Sequence, residues 1–117
     1  MAIQRLHTET RYSEAVIHNG TVYLSGQLAD DLSGDVVQQT RDTLAAIDRL
    51  LAEAGSDKRQ LLSATLYLQD IDRDYAGMNE VWDAWLAPGT APARTTVQAQ
   101  LYSPDVRVEI TLVAAQL

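Results

Sequence analysis

The sequence predicts an α+β fold of two layers, a mainly antiparallel six-stranded sheet with two helices on one face, in the order β-β-β-α-β-α-β-β. Three observations carry this expectation. Several stretches alternate apolar and polar residues with a period of two, the signature of half-buried strands. Two others carry apolar residues at steps of three and four, the signature of amphipathic helices. Turn formers separate them: Asn19-Gly20, Gly55, and Pro88-Gly89.

In chain order, Ile3 to His7 reads as a short edge strand and Thr8 to Glu14 as a polar connection. Ala15-Val16-Ile17-His18 and Thr21-Val22-Tyr23-Leu24 flank Asn19-Gly20, whose readiness for positive φ predicts a type I′ hairpin. In the second arm Val22, Leu24, Gly26 and Leu28 are expected to face the core, with Tyr23, Ser25 and Gln27 opposite. Gly26, inside a strand pattern, marks a bulge or a close approach to the backbone. Asp35 fits a helix N-cap with Gln38 three residues on, and Val37, Thr40, Leu44, Ile47, Leu51 and Ala54 form one stripe ended by Gly55. From Leu61 to Gln69 the chain alternates again, with Leu62, Ala64, Leu66 and Leu68 inward. Asp72 is placed as the cap of a second helix that turns Tyr75, Met78, Trp82, Trp85 and Leu86 toward the sheet. The last two strands, Ala93 to Leu101 and Val106 to Ala115, are expected to pair as a hairpin across Tyr102-Ser103-Pro104-Asp105. That pairing would set Arg94, Thr96, Gln98 and Glu109 on one polar face. No third helix exists to cover this face, which also carries Tyr23, Thr65, Tyr67, Leu61 and Val113, so a second copy of the sheet is the economical cover.

The totals bound the function classes. A chain of 117 residues is expected to form one domain, 1–117. There is no cysteine, which removes disulfides, thiolate metal sites and a thiol nucleophile together. A net charge of -7 disfavours a nucleic-acid partner, because phosphate-backbone affinity comes from Lys and Arg. No apolar run reaches membrane-spanning length and the N-terminus lacks a signal-peptide core, so a cytoplasmic location without a membrane partner is expected. His7 and His18 are too isolated for a metal site, and Asp70, Asp72 and Asp74 lack the glycine and distal glutamate of a calcium loop and read as a solvated helix start. Trp82 and Trp85 read as packing residues. Neither metal nor cofactor is called for.

Arg94 has a plain use, a structural ion pair across a subunit contact, and a chemical one, the capture of a small anion. The segment Ala91-Pro92-Ala93-Arg94-Thr95-Thr96-Val97-Gln98, followed by Val108-Glu109-Ile110, closely resembles the C-terminal signature of the Rid, or YjgF-type, family of imine and enamine deaminases. Arg11-Tyr12-Ser13-Glu14-Ala15, Tyr23-Leu24-Ser25-Gly26-Gln27 and Met78-Asn79-Glu80-Val81-Trp82 resemble three further motifs of that family, in order. The Trp-containing helix looks most like the YoaB-like branch.

The resemblance implies a homotrimer with ligand clefts between subunits and no cofactor. Arg94 would bind a substrate carboxylate and Glu109 would act as the acid/base or water-orienting group. Tyr12, Ser25, Gly26 and Asn79 would line the cleft. The implied reaction is that of a 2-iminobutanoate/2-iminopropanoate deaminase-like hydrolase: a 2-imino acid, formed from a 2-aminoacrylate-type enamine, gives a 2-keto acid and ammonia. Two departures bear on it. Thr96 stands where many members have Cys, with a hydroxyl in the catalytic position. Arg11 and Glu14 replace Pro and Gln around Tyr12. A non-catalytic trimeric binder of 2-keto acids with a regulatory role is the alternative, and ribonuclease activity, known among relatives, fits the acidic chain poorly.

Overall fold

The computed structural model describes residues 2–117; Met1, which opens the N-terminal stretch read above for a signal peptide, lies outside them. Two helices pack on one face of a six-stranded sheet whose strands lie in the order β1-β2-β3-β6-β4-β5. The strands are β1 (Gln4–Thr8), β2 (Ser13–His18), β3 (Thr21–Gln27), β4 (Leu61–Leu68), β5 (Ala93–Gln98) and β6 (Val108–Ala115). The helices are α1 (Val36–Glu53) and α2 (Ile71–Trp85). Element order and fold class agree with the sequence.

The hairpin joining β2 and β3 turns at Asn19 and Gly20, with φ of 51° and 76°, the left-handed pair that a type I′ turn needs. Asp35 caps α1, accepting from the Gln38 backbone N–H at 3.0 Å, and Gly55 leaves the helix at φ 78°. Leu44, Ile47 and Leu51 from α1, Met78 and Trp82 from α2, and Leu66, Ile110, Val22 and Leu24 from the strands close the core between the layers. The opposite face of the sheet has no helix. Tyr23 is 47% exposed there, and Ser63, Thr65, Thr111 and Val113 line its centre.

Five expectations are corrected. β5 and β6 are not a hairpin: β5 runs parallel to β4, joined to it through α2, while β6 is inserted between β3 and β4. A βαβ crossover is the physical reason, since α2 returns the chain to the same end of the sheet before β5 begins. At Leu61 to Ser63 the β4–β6 ladder shifts, so Leu61 is buried and Leu62 is 51% exposed, the reverse of strict alternation. A second irregularity between Leu24 and Gln27 turns Gln27 inward to 8% exposure. Finally, Asp70 rather than Asp72 caps α2, accepting from the Arg73 N–H at 3.0 Å, and Asp74 is not solvated but fully buried.

Candidate functional site

The seven residues singled out in the sequence fall into two groups, one on each face of the sheet. The first forms around the β3 irregularity. The Ser25–Gly26 bulge lets the Glu109 side chain lie directly over the backbone: a Cβ built at Gly26 would stand 2.0 Å from Glu109 Oε2. Gln27 braces this bend from inside, donating through Nε2 to the Ser25 carbonyl at 3.3 Å and to Ser25 Oγ at 3.4 Å. Ser25 Oγ in turn donates to the Glu14 carbonyl at 3.4 Å. Beside them a cleft of about 440 Å³ is lined by Tyr12, Glu14, Ser25, Gly26, Gln27, Leu28 and Asp30. Tyr12 stands at its rim, 53% exposed, where the Glu9 N–H donates to the Tyr12 carbonyl at 2.7 Å and closes the turn between β1 and β2. Burial pushes the Glu109 carboxyl above the usual glutamate range, and among the described residues no cation pairs with it.

The second group lies between β5 and α2. Arg94 and Thr96 sit level with Ala64 and Leu66 of β4, both core residues, so they project toward the helices. Glu109 sits level with Tyr67, and Tyr67 with Val97, on the open face. Arg94 and Glu109 therefore point from opposite faces, which corrects the expectation that they share one. Two strand spacings and three residue steps put their backbones about 14 Å apart. Val97, which the strand alternation sets opposite Arg94 and Thr96 and which as an apolar residue is expected inward, is 36% exposed. The reason is that β5 is an edge strand, where alternation reports the period but not which side is covered.

The Arg94 guanidinium carbon lies 5.9 Å from the Tyr75 ring centroid and 5.7 Å from that of Trp82, and among the described residues no carboxylate comes within ion-pair distance. Asn79 belongs to the same group, since Tyr75, Asn79 and Trp82 follow at helical spacings of four and three and share one face of α2. Among the described residues, Asn79 Oδ1 and Thr96 Oγ1 are both buried without a hydrogen-bond partner, an uncommon condition for buried polar atoms. Tyr75 and Trp82 were not recognised in the sequence as neighbours of Arg94. The signal that could have found them is this spacing around the Asn79 motif.

A buried acid holds the frame of both groups. Asp74 accepts from Arg107 Nε at 3.1 Å and from Arg107 Nη2, and from Arg73 at 3.1 and 2.9 Å. Burial alone would push the Asp74 carboxyl up, but the hydrogen bonds from Arg107 and then Arg73 outweigh it and hold the group below the usual aspartate range. Arg107 precedes Glu109 by two residues and Asp74 precedes Tyr75 by one, so this cluster ties the start of β6 to α2. Gln39, wholly buried in α1, adds a second tie, donating to the Asp105 carbonyl at 2.9 Å and accepting from the Arg107 N–H at 2.9 Å. Among the described residues, no three His, Cys, Asp or Glu side chains are grouped to hold a metal ion, and no helix is long and apolar enough to cross a membrane.

The two-layer α+β architecture, with two helices on one face of a six-stranded sheet, is that of the YjgF-family folds. The family model described as Endoribonuclease L-PSP matches residues 2–116, and the chain belongs to that family, the YjgF/RutC family. Among its relatives is the RutC family protein YoaB of Escherichia coli, 48% identical over 115 residues that cover 98% of this chain and 99% of the relative, so the YoaB-like branch is supported. A 2-iminobutanoate/2-iminopropanoate deaminase of Capra hircus is 34% identical over 111 residues, covering 90% of this chain and 80% of the relative. In fold, the crystal structure of a YjgF family member from Neisseria meningitidis superposes with a TM-score of 0.96 at 50% identity, covering 100% of this chain and 97% of that one.

Proposed function

We propose that the protein hydrolyses 2-imino acids to 2-keto acids and ammonia, in clefts that form between the subunits of a homotrimer. The observation that carries the reading is the Arg94 guanidinium, half-buried and paired with no carboxylate among the described residues. A planar cation with paired donors and no internal partner suits an external carboxylate. Because Arg94, Thr96 and Asn79 lie on one face and Tyr12, Ser25, Gly26 and Glu109 on the other, one chain cannot bring the two groups to one small substrate. Adjacent copies can: the first group of one subunit meets the second group of its neighbour, and the open sheet face turns inward on the assembly.

The chemistry asks little of the protein. A 2-imino acid is already electrophilic at the imine carbon. Arg94 holds its carboxylate, and water adds its oxygen to that carbon while the imine nitrogen gains a proton. The carbinolamine then passes its hydroxyl proton to the amino nitrogen, the C–N bond breaks as the carbonyl forms, and ammonia leaves a 2-keto acid behind. Glu109 suits both transfers, because its raised affinity for protons lets it deliver one to nitrogen and take one from the added water. Thr96 and Asn79 supply hydrogen-bonding groups beside the carboxylate. Ammonia release from freshly generated 2-iminobutanoate or 2-iminopropanoate tests the reading. Arg94→Ala is expected to lower the rate about 100-fold or more. A rate near that of the unmodified protein would overturn it.

A second reading, a non-catalytic trimeric binder of small carboxylates, is favoured by one observation: the Thr96 hydroxyl oxygen, where many relatives carry Cys, is buried. Calorimetry showing 2-ketobutyrate bound with no imine turnover would select it. Ribonuclease action is disfavoured by the net charge of -7.

A further inference from the structure

We infer that Tyr75 and Trp82 are positioning residues for Arg94: their rings hold the guanidinium in place and leave its N–H donors free for the substrate carboxylate. This rests on the reading of Arg94 as the carboxylate anchor. The contrast within the chain makes the case. Arg107 and Arg73 are each fixed by giving the paired Nε and Nη2 donors of one edge of the guanidinium to Asp74, so that bidentate edge is already spent on a carboxylate of the chain. Arg94 is fixed differently. Its guanidinium carbon lies between two aromatic rings at 5.9 and 5.7 Å, and the attraction of a cation to a ring quadrupole consumes no hydrogen. An arginine left loose would lose considerable rotamer freedom on gripping a ligand; one already held by rings loses less.

The two rings differ in kind. Trp82 is only 2% exposed and locked in the core beneath α2, so it is a fixed wall. Tyr75, 45% exposed, stands at the rim two turns away on the same helical face. Asn79, between them in sequence, lies on the same helical face. Positioning of this sort strengthens the hold on the carboxylate in ground state and transition state alike, so its removal raises KM and leaves kcat nearly unchanged.

The test measures 2-ketobutyrate affinity by calorimetry and imine turnover for Arg94→Ala, Tyr75→Leu, Trp82→Leu and Trp82→Phe. Tyr75→Leu is expected to raise the dissociation constant and KM about threefold, and Trp82→Leu about tenfold, while Trp82→Phe, which keeps a ring face, stays within about twofold. In a Trp85→Phe background the remaining Trp82 emission is expected to respond to 2-ketobutyrate, and to lose that response in Arg94→Ala. Should Trp82→Leu fail to fold, Tyr75→Leu decides, since its exposed ring leaves no cavity. Loss of affinity in Arg94→Ala with unmodified affinity in Tyr75→Leu, or in a folded Trp82→Leu, overturns this inference alone. Unmodified affinity in Arg94→Ala overturns the anchor itself.

Discussion

Adding one methyl group at Gly26 is the sharpest perturbation of the acid/base half of the site. The new Cβ would stand 2.0 Å from Glu109 Oε2, 2.8 Å from Cδ and 3.1 Å from Cγ, so the carboxylate must withdraw by about 1 Å or more. Gly26 does not occupy the left-handed region, so alanine fits the backbone there. What yields is the end of a flexible side chain, and the cost to stability is expected to be about 1 kcal/mol. The cost to function is larger, because a catalytic group displaced by 1 Å loses about 100-fold in rate. Gly26→Ala is therefore expected to fold, keep its 2-ketobutyrate affinity through Arg94, and release ammonia from 2-iminobutanoate about 100 times more slowly. A folded Gly26→Ala protein with undiminished turnover would refute the claim that Glu109 acts from its seat on the bulge.

Other perturbations have definite signs. Burial raises the Glu109 pKa, so the native state binds this proton more tightly than the unfolded chain and stability falls as pH climbs through that window. Glu109→Gln is expected to raise the urea midpoint near pH 7 and to bring no gain near pH 3; an equal effect at both would contradict the burial argument. Asp74 is the opposite case: held below the usual aspartate range, it stabilises at neutral pH, and that contribution is lost as pH falls through its folded value. Asp74→Asn should cost about 3 kcal/mol in urea unfolding at neutral pH, and a loss below about 1 kcal/mol would show that the two arginines do not depend on it. His7 hydrogen-bonds Glu53 at 2.7 Å, which raises its pKa, and an NMR titration of Glu53→Gln should bring it back toward the free imidazole value.

Much of this fold could be read from local chemistry. Asn19-Gly20, Asp35 with Gln38, and Gly55 each did what their conformational preferences dictate, and the α1 stripe packs as its spacing implies. The partner of β5 was not legible. Tyr102-Ser103-Pro104-Asp105 has turn composition, but turn composition does not say which strand lies alongside, and a nonlocal pairing with β4 took precedence. The two strand irregularities were half legible: Gly26 marked one, whereas Leu61-Leu62 offers two equivalent leucines and no local mark of which turns inward. Asp74 looked like one more acid in a polar helix start, because its partner Arg107 is 33 residues away. For the candidate site, motifs named the residues, but only the register separated them onto two faces. That separation is the basis for the pairing of half-sites across subunits proposed above.

Subunit mixing tests that pairing most directly. Arg94→Ala and Glu109→Gln proteins, each expected to be nearly inactive alone, are unfolded together in equal amounts, refolded and assayed for ammonia release from 2-iminobutanoate. Where each cleft takes Arg94 from one copy and Glu109 from its neighbour, random assembly leaves about one cleft in four intact, and about a quarter of the unmodified activity should return. A mixture no more active than its two components would mean that each chain must supply both residues itself, contrary to the pairing proposed here.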